Sequence, residues 1–173
     1  MIKENLIHVE EKIRQACERA GRKREEVTLI AVSKTKPVSM IREAMESRIS
    51  TFGENKVQEL LEKQEMLTEP LDWHLIGHLQ RNKVRQITGR VKRIHSVDSL
   101  RLAEQIQNEY KKKNEMAHIL MEVNIAGEET KFGLAPEETE TVIRKVAEFP
   151  NITIHGLMTI APYVADPEEN RMH

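Results

Sequence analysis

Val27-Thr-Leu-Ile-Ala-Val-Ser-Lys-Thr-Lys-Pro-Val-Ser-Met-Ile41 is the stretch that decides the fold. Val27 to Val32 is a short aliphatic, β-prone run without alternation, the pattern of a strand buried on both faces. A polar segment follows, Ser33 to Lys36, and Pro37 then leads into an apolar stripe at Val38, Ile41 and Met45 that predicts a short helix. A strand that runs directly into a helix is half of a βαβ unit.

The unit repeats on both sides. Upstream, Ile2, Leu6, Val9, Ile13, Cys17 and Ala20 recur at helical spacing and stop at Gly21. Downstream, Ile49 to Phe52, Trp73 to Ile76, Arg93 to Val97, His118 to Ile125 and Ile152 to Ile160 read as further strands. Helical stripes lie between them: Val57, Leu60, Leu61 and Leu67 behind a cap at Asn55, then Val84 and Ile87, then Leu102, Ala103, Ile106 and Tyr110 behind Asp98-Ser99. Pro136 with Glu137 and Glu138 opens the last helix, which buries Val142, Ile143, Val146 and Ala147. One helix followed by about six alternating strands and helices predicts a parallel sheet with right-handed crossovers. No Gly-x-Gly-x-x-Gly follows the first strand and no Walker loop is present, so a β/α barrel is favoured over a doubly wound nucleotide fold. A complete barrel of eight βα units needs roughly 200 residues or more; this chain has 173.

Composition agrees with a single domain, residues 1–173, in a reducing, cytoplasmic setting. The net charge of −1 gives no general attraction to nucleic acid or anionic membrane. The lone Cys17 has no internal partner for a disulfide. No apolar run is long enough to span a bilayer, and the acid-containing helical N-terminus does not read as a signal peptide. With one Trp, two Tyr and three Phe, the core must rest on aliphatic residues, and the methionines read as core filler.

In parallel α/β folds the working residues lie at the C-terminal ends of strands. Here those ends carry Ser33-Lys-Thr-Lys-Pro37, Phe52-Gly-Glu-Asn55, His74-Leu-Ile-Gly77, Asn124 and Gly156-Leu-Met-Thr159. Lys34 and Lys36, two apart on an extended segment, would face the same side, with Pro37 holding its predecessor extended. A free lysine titrates near ~10.4. Burial and a second ammonium would lower that value and expose a nucleophilic amine, which suits an aldehyde cofactor bearing a phosphate. A lysine at a strand end is also commonly just solvated, so the spacing alone does not specify the cofactor. His74 and His78 are four apart across a glycine, which argues against a helical metal pair. His95, His118 and His155 read as hydrogen-bonded strand residues. The basic run Arg81, Lys83, Arg85, Arg90, Lys92 and Arg93 lacks interleaved aromatics and reads as a solvated face ahead of an RNA surface.

Taken together, Ala31 to Pro37, Phe52 to Asn55 with Val57-Gln58-Glu59, and Trp73 to Gly77 with Leu79-Gln80 and Asn82-Lys83 resemble the pyridoxal phosphate homeostasis proteins. Ile94 to Asp98, Val123-Asn124 through Gly127-Glu128, Lys131 to Gly133 and Gly156 to Thr159 continue the likeness in order. The resemblance implies the (β/α)8 barrel of the alanine racemase N-terminal type, standing without a racemase's second domain. It implies pyridoxal 5'-phosphate (PLP) held as an internal aldimine on Lys34, with Asn55 lining the pocket and Thr159 approaching the phosphate. It further implies a non-catalytic, monomeric carrier that buffers PLP or passes it to apo-enzymes. The alternative is a racemase-like PLP enzyme, which needs a second acid/base opposite the lysine; Tyr110 on a predicted helix and Tyr163 in the tail are poor candidates. The family's two further βα units, which carry most of the phosphate cup, have no counterpart here. On that reading the barrel stays open, with free edges on the first and sixth strands.

Overall fold

The computed structural model describes residues 1–127 and 132–172. Six parallel strands form one sheet in chain order: β1 (Ala31–Val32), β2 (Thr51–Glu54), β3 (Asp72–Leu75), β4 (Arg93–Val97), β5 (Ala117–Glu122) and β6 (Ile152–Met158). The helices α1 (Ile2–Arg19), α2 (Val38–Glu46), α3 (Val57–Met66), α4 (Val84–Ile87), α5 (Leu100–Lys113) and α6 (Pro136–Val146) precede and connect them. This is the order of a β/α barrel through its sixth strand, with β1 and β6 as the sheet's two edges.

Three of the helices carry clear end signals. After α1, Gly21 takes a left-handed φ of 63°, and the Arg22 N–H returns to the Cys17 carbonyl at 2.9 Å. Ser99 caps α5 by accepting from the Leu102 N–H at 3.3 Å. At the far end of α5, Lys111, Lys112 and Lys113 complement the negative end of the dipole. Pro136 opens α6, with Glu137 and Glu138 in its first turn.

The core lies between the sheet and these helices. Phe52, Leu75, Ile94, Ile119 and Met121 from the strands meet Ile41, Leu60, Ile87, Leu102 and Ile106 from the helices. Strand side chains alternate, so the intervening residues point to the opposite face of the sheet. On β5 that alternation leaves Ala117, Ile119 and Met121 buried, His118 exposed, and Leu120 and Glu122 half-buried.

Several expectations need correction. The first strand is Ala31–Val32 instead of Val27 to Val32, because this edge strand pairs only through Ala31 with Phe52 and Val32 with Gly53. Lys56, not Asn55, occupies the cap position of α3, and no side-chain cap bond forms there. Met121 is core, but Met40, Met66 and Met116 are exposed on the surface.

Candidate functional site

All six strands point the same way, so their C-terminal ends share one rim. Lys34 lies in the turn directly after β1 and is exposed. Asn55 directly follows β2, and the paired register of β1 and β2 ends at Val32 with Gly53, two residues before Lys34 and Asn55 alike. Thr159 directly follows β6, where its Oγ1 donates to the Val123 carbonyl at 2.8 Å. Asn55 and the residue after Thr159, Ile160, line a common cavity of about 370 Å³. Lys34 stands outside that lining, on the adjoining rim.

The cavity has one flat wall and several polar edges. The His78 ring stacks on Phe132 with centroids 3.7 Å apart and planes inclined by 12°. His78 Nδ1 lies 3.0 Å from the Asp98 carboxylate, which fixes the ring's orientation. Gly77 brings the ends of β2 and β3 close: a Cβ there would stand 2.5 Å from the Asn55 carbonyl oxygen and 2.6 Å from its Cα. Glu122 also lines the cavity, and its Oε2 is buried without a hydrogen-bond partner. Burial, then the charge of Asp98, pushes the Glu122 carboxyl above its ordinary value.

The lysine pair does not form as the spacing predicted. Ser33 to Lys36 is a closed turn, with the Lys36 N–H donating to the Ser33 carbonyl at 3.0 Å. Thr35 adopts φ 61°, a left-handed conformation that costs a β-branched residue roughly 1–2 kcal/mol. The chain therefore bends between the two lysines. Lys36 lines a separate cavity with Ile2, Val32, Met40 and Phe52. Lys34 is exposed, so the expected burial does not occur. Lys131, a second lysine of the family motif, lies outside the described residues.

Beneath the turn is a buried charge cluster that sequence reasoning missed. Lys63 Nζ donates to the Ser33 carbonyl, Glu54 Oε1 and Glu59 Oε1, each at 2.7 Å. Ser33 Oγ donates to the same Glu54 oxygen at 2.6 Å, and the Thr35 N–H donates to Glu59 Oε1 at 2.6 Å. The bonds from Lys63 and Thr35 hold the Glu59 carboxyl below its usual range. Two signals were present in the sequence: a carboxylate, Glu54, within an apolar strand, and Glu59 with Lys63 at i,i+4 on one helix face.

The histidines form two cross-strand pairs on the face opposite the helices. His74 Nδ1 lies 2.8 Å from His95 Nε2, and His118 Nδ1 lies 2.8 Å from His155 Nε2. His74 and His78 take different partners, the His95 ring and the Asp98 carboxylate. Neither Tyr110, buried in α5, nor the exposed Tyr163 lines the cavity. No helix among the described residues is long and apolar enough to cross a membrane.

Comparison with known proteins gives a consistent answer. The family model for the alanine racemase N-terminal domain matches residues 5–173. The pyridoxal phosphate homeostasis protein of Aquifex aeolicus is 46% identical over 169 residues, spanning 97% of this chain and 74% of the relative. An unknown protein from Bifidobacterium adolescentis superposes with a TM-score of 0.91 at 33% identity, covering 99% of this chain and 74% of that one. PipY of Synechococcus elongatus, solved with PLP bound, superposes with a TM-score of 0.81 at 33% identity, covering 99% and 76%. On the parallel six-stranded fold, the rim geometry and these relatives together, the chain belongs to the alanine racemase N-terminal domain family and, within it, to the pyridoxal phosphate homeostasis proteins.

Proposed function

We propose that this chain is a cytoplasmic PLP-binding protein of vitamin B6 homeostasis, a non-catalytic carrier that holds the cofactor at Lys34 and delivers it to apo-enzymes. Residues 1–173 act in this reading as one cofactor-binding unit, and the working form is a monomer. The observation that carries the reading is the rim itself. An accessible primary amine, Lys34, follows β1 on the same rim as Asn55, which lines a cavity of about 370 Å³.

The residues present fit an aromatic aldehyde phosphate. The cavity falls within the range of small-molecule sites, about 300–1,000 Å³. His78 on Phe132 gives a flat wall for a ring, and the orphaned Oε2 of Glu122 is a polar atom that lacks a partner until a ligand supplies one. PLP would supply an electrophilic aldehyde carbon for a lysine amine to attack. Lys34 supplies that amine, Asn55 offers amide donors and acceptors on the next strand, and Thr159 stands at the end of β6 for the phosphate side. A racemase would need an acid/base on the opposite face of the ring, and neither tyrosine of the chain lines the cavity.

The test is an absorbance titration of the purified protein with PLP, followed by borohydride trapping and mass mapping, with Lys34→Ala in parallel. A saturable band that traps on Lys34 and is lost in the variant supports the carrier reading. Weak labelling scattered over many lysines overturns it. Formation of D-alanine from L-alanine by the wild-type protein would overturn its non-catalytic part.

A further inference from the structure

Lys34 is bracketed by the two residues that the buried charge cluster holds. Ser33, before it, gives its carbonyl to Lys63 Nζ at 2.7 Å and its hydroxyl proton to Glu54 Oε1 at 2.6 Å. Thr35, after it, gives its N–H to Glu59 Oε1 at 2.6 Å. An ammonium has three donors, and here each has an acceptor: Ser33 O, Glu54 and Glu59. Lys63 and Glu54 are buried, so their pair is shielded from the water that weakens surface pairs, while the partly exposed Glu59 reaches out to the Thr35 amide.

We propose that Glu59 and Lys63 of α3 are positioning residues that clamp the Ser33–Lys36 turn with Thr35 in its left-handed conformation, and so aim the Lys34 amine at its aldehyde ligand. The inference rests on the reading of Lys34 as the attachment lysine. Its physical content is that the clamp offsets backbone strain. A β-branched residue at φ 61° relaxes toward negative φ unless something holds it. The Thr35 amide bond to Glu59 is that restraint, and Lys63 fixes the Glu59 carboxylate while tying down the Ser33 carbonyl on the other side. Relaxation at Thr35 would swing the segment that carries Lys34, because the turn is short and closed by a single Lys36-to-Ser33 bond. Strained backbone beside a reactive group is a recurrent property of functional sites.

Rescue separates positioning from general support. Glutamine at 59 keeps an oxygen acceptor for Thr35, alanine removes it, and glycine at 35 reaches positive φ without strain. Wild type, Glu59→Gln, Glu59→Ala, Thr35→Gly and the Glu59→Ala/Thr35→Gly double variant are compared as full chains. The rate of borohydride-trapped PLP incorporation at Lys34 is measured by mass mapping, relative to the other lysines. Incorporation should fall about tenfold in Glu59→Ala, stay near wild type in Glu59→Gln, and recover in the double variant. Equal labelling by Glu59→Ala, or no recovery in the double variant, overturns the clamp. If wild type itself fails to label at Lys34, the carrier reading falls. The clamp is then decided by hydrogen exchange at the Thr35 amide, where protection lost in Glu59→Ala but kept in Glu59→Gln supports it and unchanged protection overturns it.

Discussion

Lys63 Nζ lies 2.7 Å from Glu54 Oε1, an ion pair between α3 and β2 in which both side chains are buried. Removing one partner of such a pair leaves a charge in the interior without compensation, which typically costs about 3–5 kcal/mol. Glu54 is poorly placed to tolerate this, since its second oxygen already lacks a partner. Lys63→Met should therefore destabilise the protein by about 3–5 kcal/mol in urea unfolding, and Glu54→Gln added to it should recover a large part. A Lys63→Met variant as stable as wild type would show that the pair does not hold β2 to α3.

His74 and His95 give the protein an acid limit. Burial, then the neighbouring His95 ring and the Arg93 guanidinium, pushes His74 down to about 4. Burial and then Arg93 do the same to His95, also to about 4. Unfolded histidine titrates near ~6.5, so folding favours the neutral rings. The resulting stability is present above pH ~6.5 and is lost as pH falls from there toward 4. Between pH 7.5 and 5 the loss for the pair should be on the order of 2–4 kcal/mol, read from urea midpoints, and His95→Gln should make the slope shallower. A flat profile over that interval would mean the rings are already charged or exposed.

The site was less legible in the sequence than the fold. Aliphatic strand residues such as Ile94 with Val97 and Ile119 with Met121 marked the strands, because burial leaves an aliphatic signature. The rim positions of Asn55 and Thr159 followed from strand polarity alone. Conformation within a turn is different. The Ser-Lys-Thr-Lys-Pro run contains no glycine to announce positive φ, yet Thr35 takes it because Glu59, distant in sequence, supplies the restraint. The bend falls at Thr35, two residues before the proline. Cross-strand pairs such as His118 with His155 depend on register, which no single strand's sequence reveals.

Gly77 has a packing role that a methyl group would expose. Its missing Cβ would overlap the Asn55 backbone, at 2.5 Å from the carbonyl oxygen. Backbone on both sides leaves no flexible side chain to move away, so Gly77→Ala must separate the ends of β2 and β3. A loss of about 1–3 kcal/mol is expected. The displacement reaches Asn55 directly, so PLP binding should weaken by more than stability alone predicts. Unchanged affinity in a folded Gly77→Ala protein would remove Asn55 from the binding site.

Glu122 separates stability from ligand recognition. Its carboxyl is pushed up by burial and by Asp98, so its folded value exceeds its unfolded one. For such a group the stabilising contribution is present below the unfolded pKa and is lost as pH rises through the folded one. Near neutrality the acid therefore opposes folding, and Glu122→Gln, which keeps the shape and stays uncharged, should unfold at a higher urea concentration at pH 8. The advantage should vanish by pH 4, where the wild-type acid is also neutral. Cofactor affinity should move the other way: Glu122 shares the cavity with Asn55 and His78, and glutamine exchanges one carboxyl oxygen for an amide nitrogen that can only donate. A variant that is less stable than wild type at pH 8 would instead mean that Glu122 is ionised and paired, and that its role is structural.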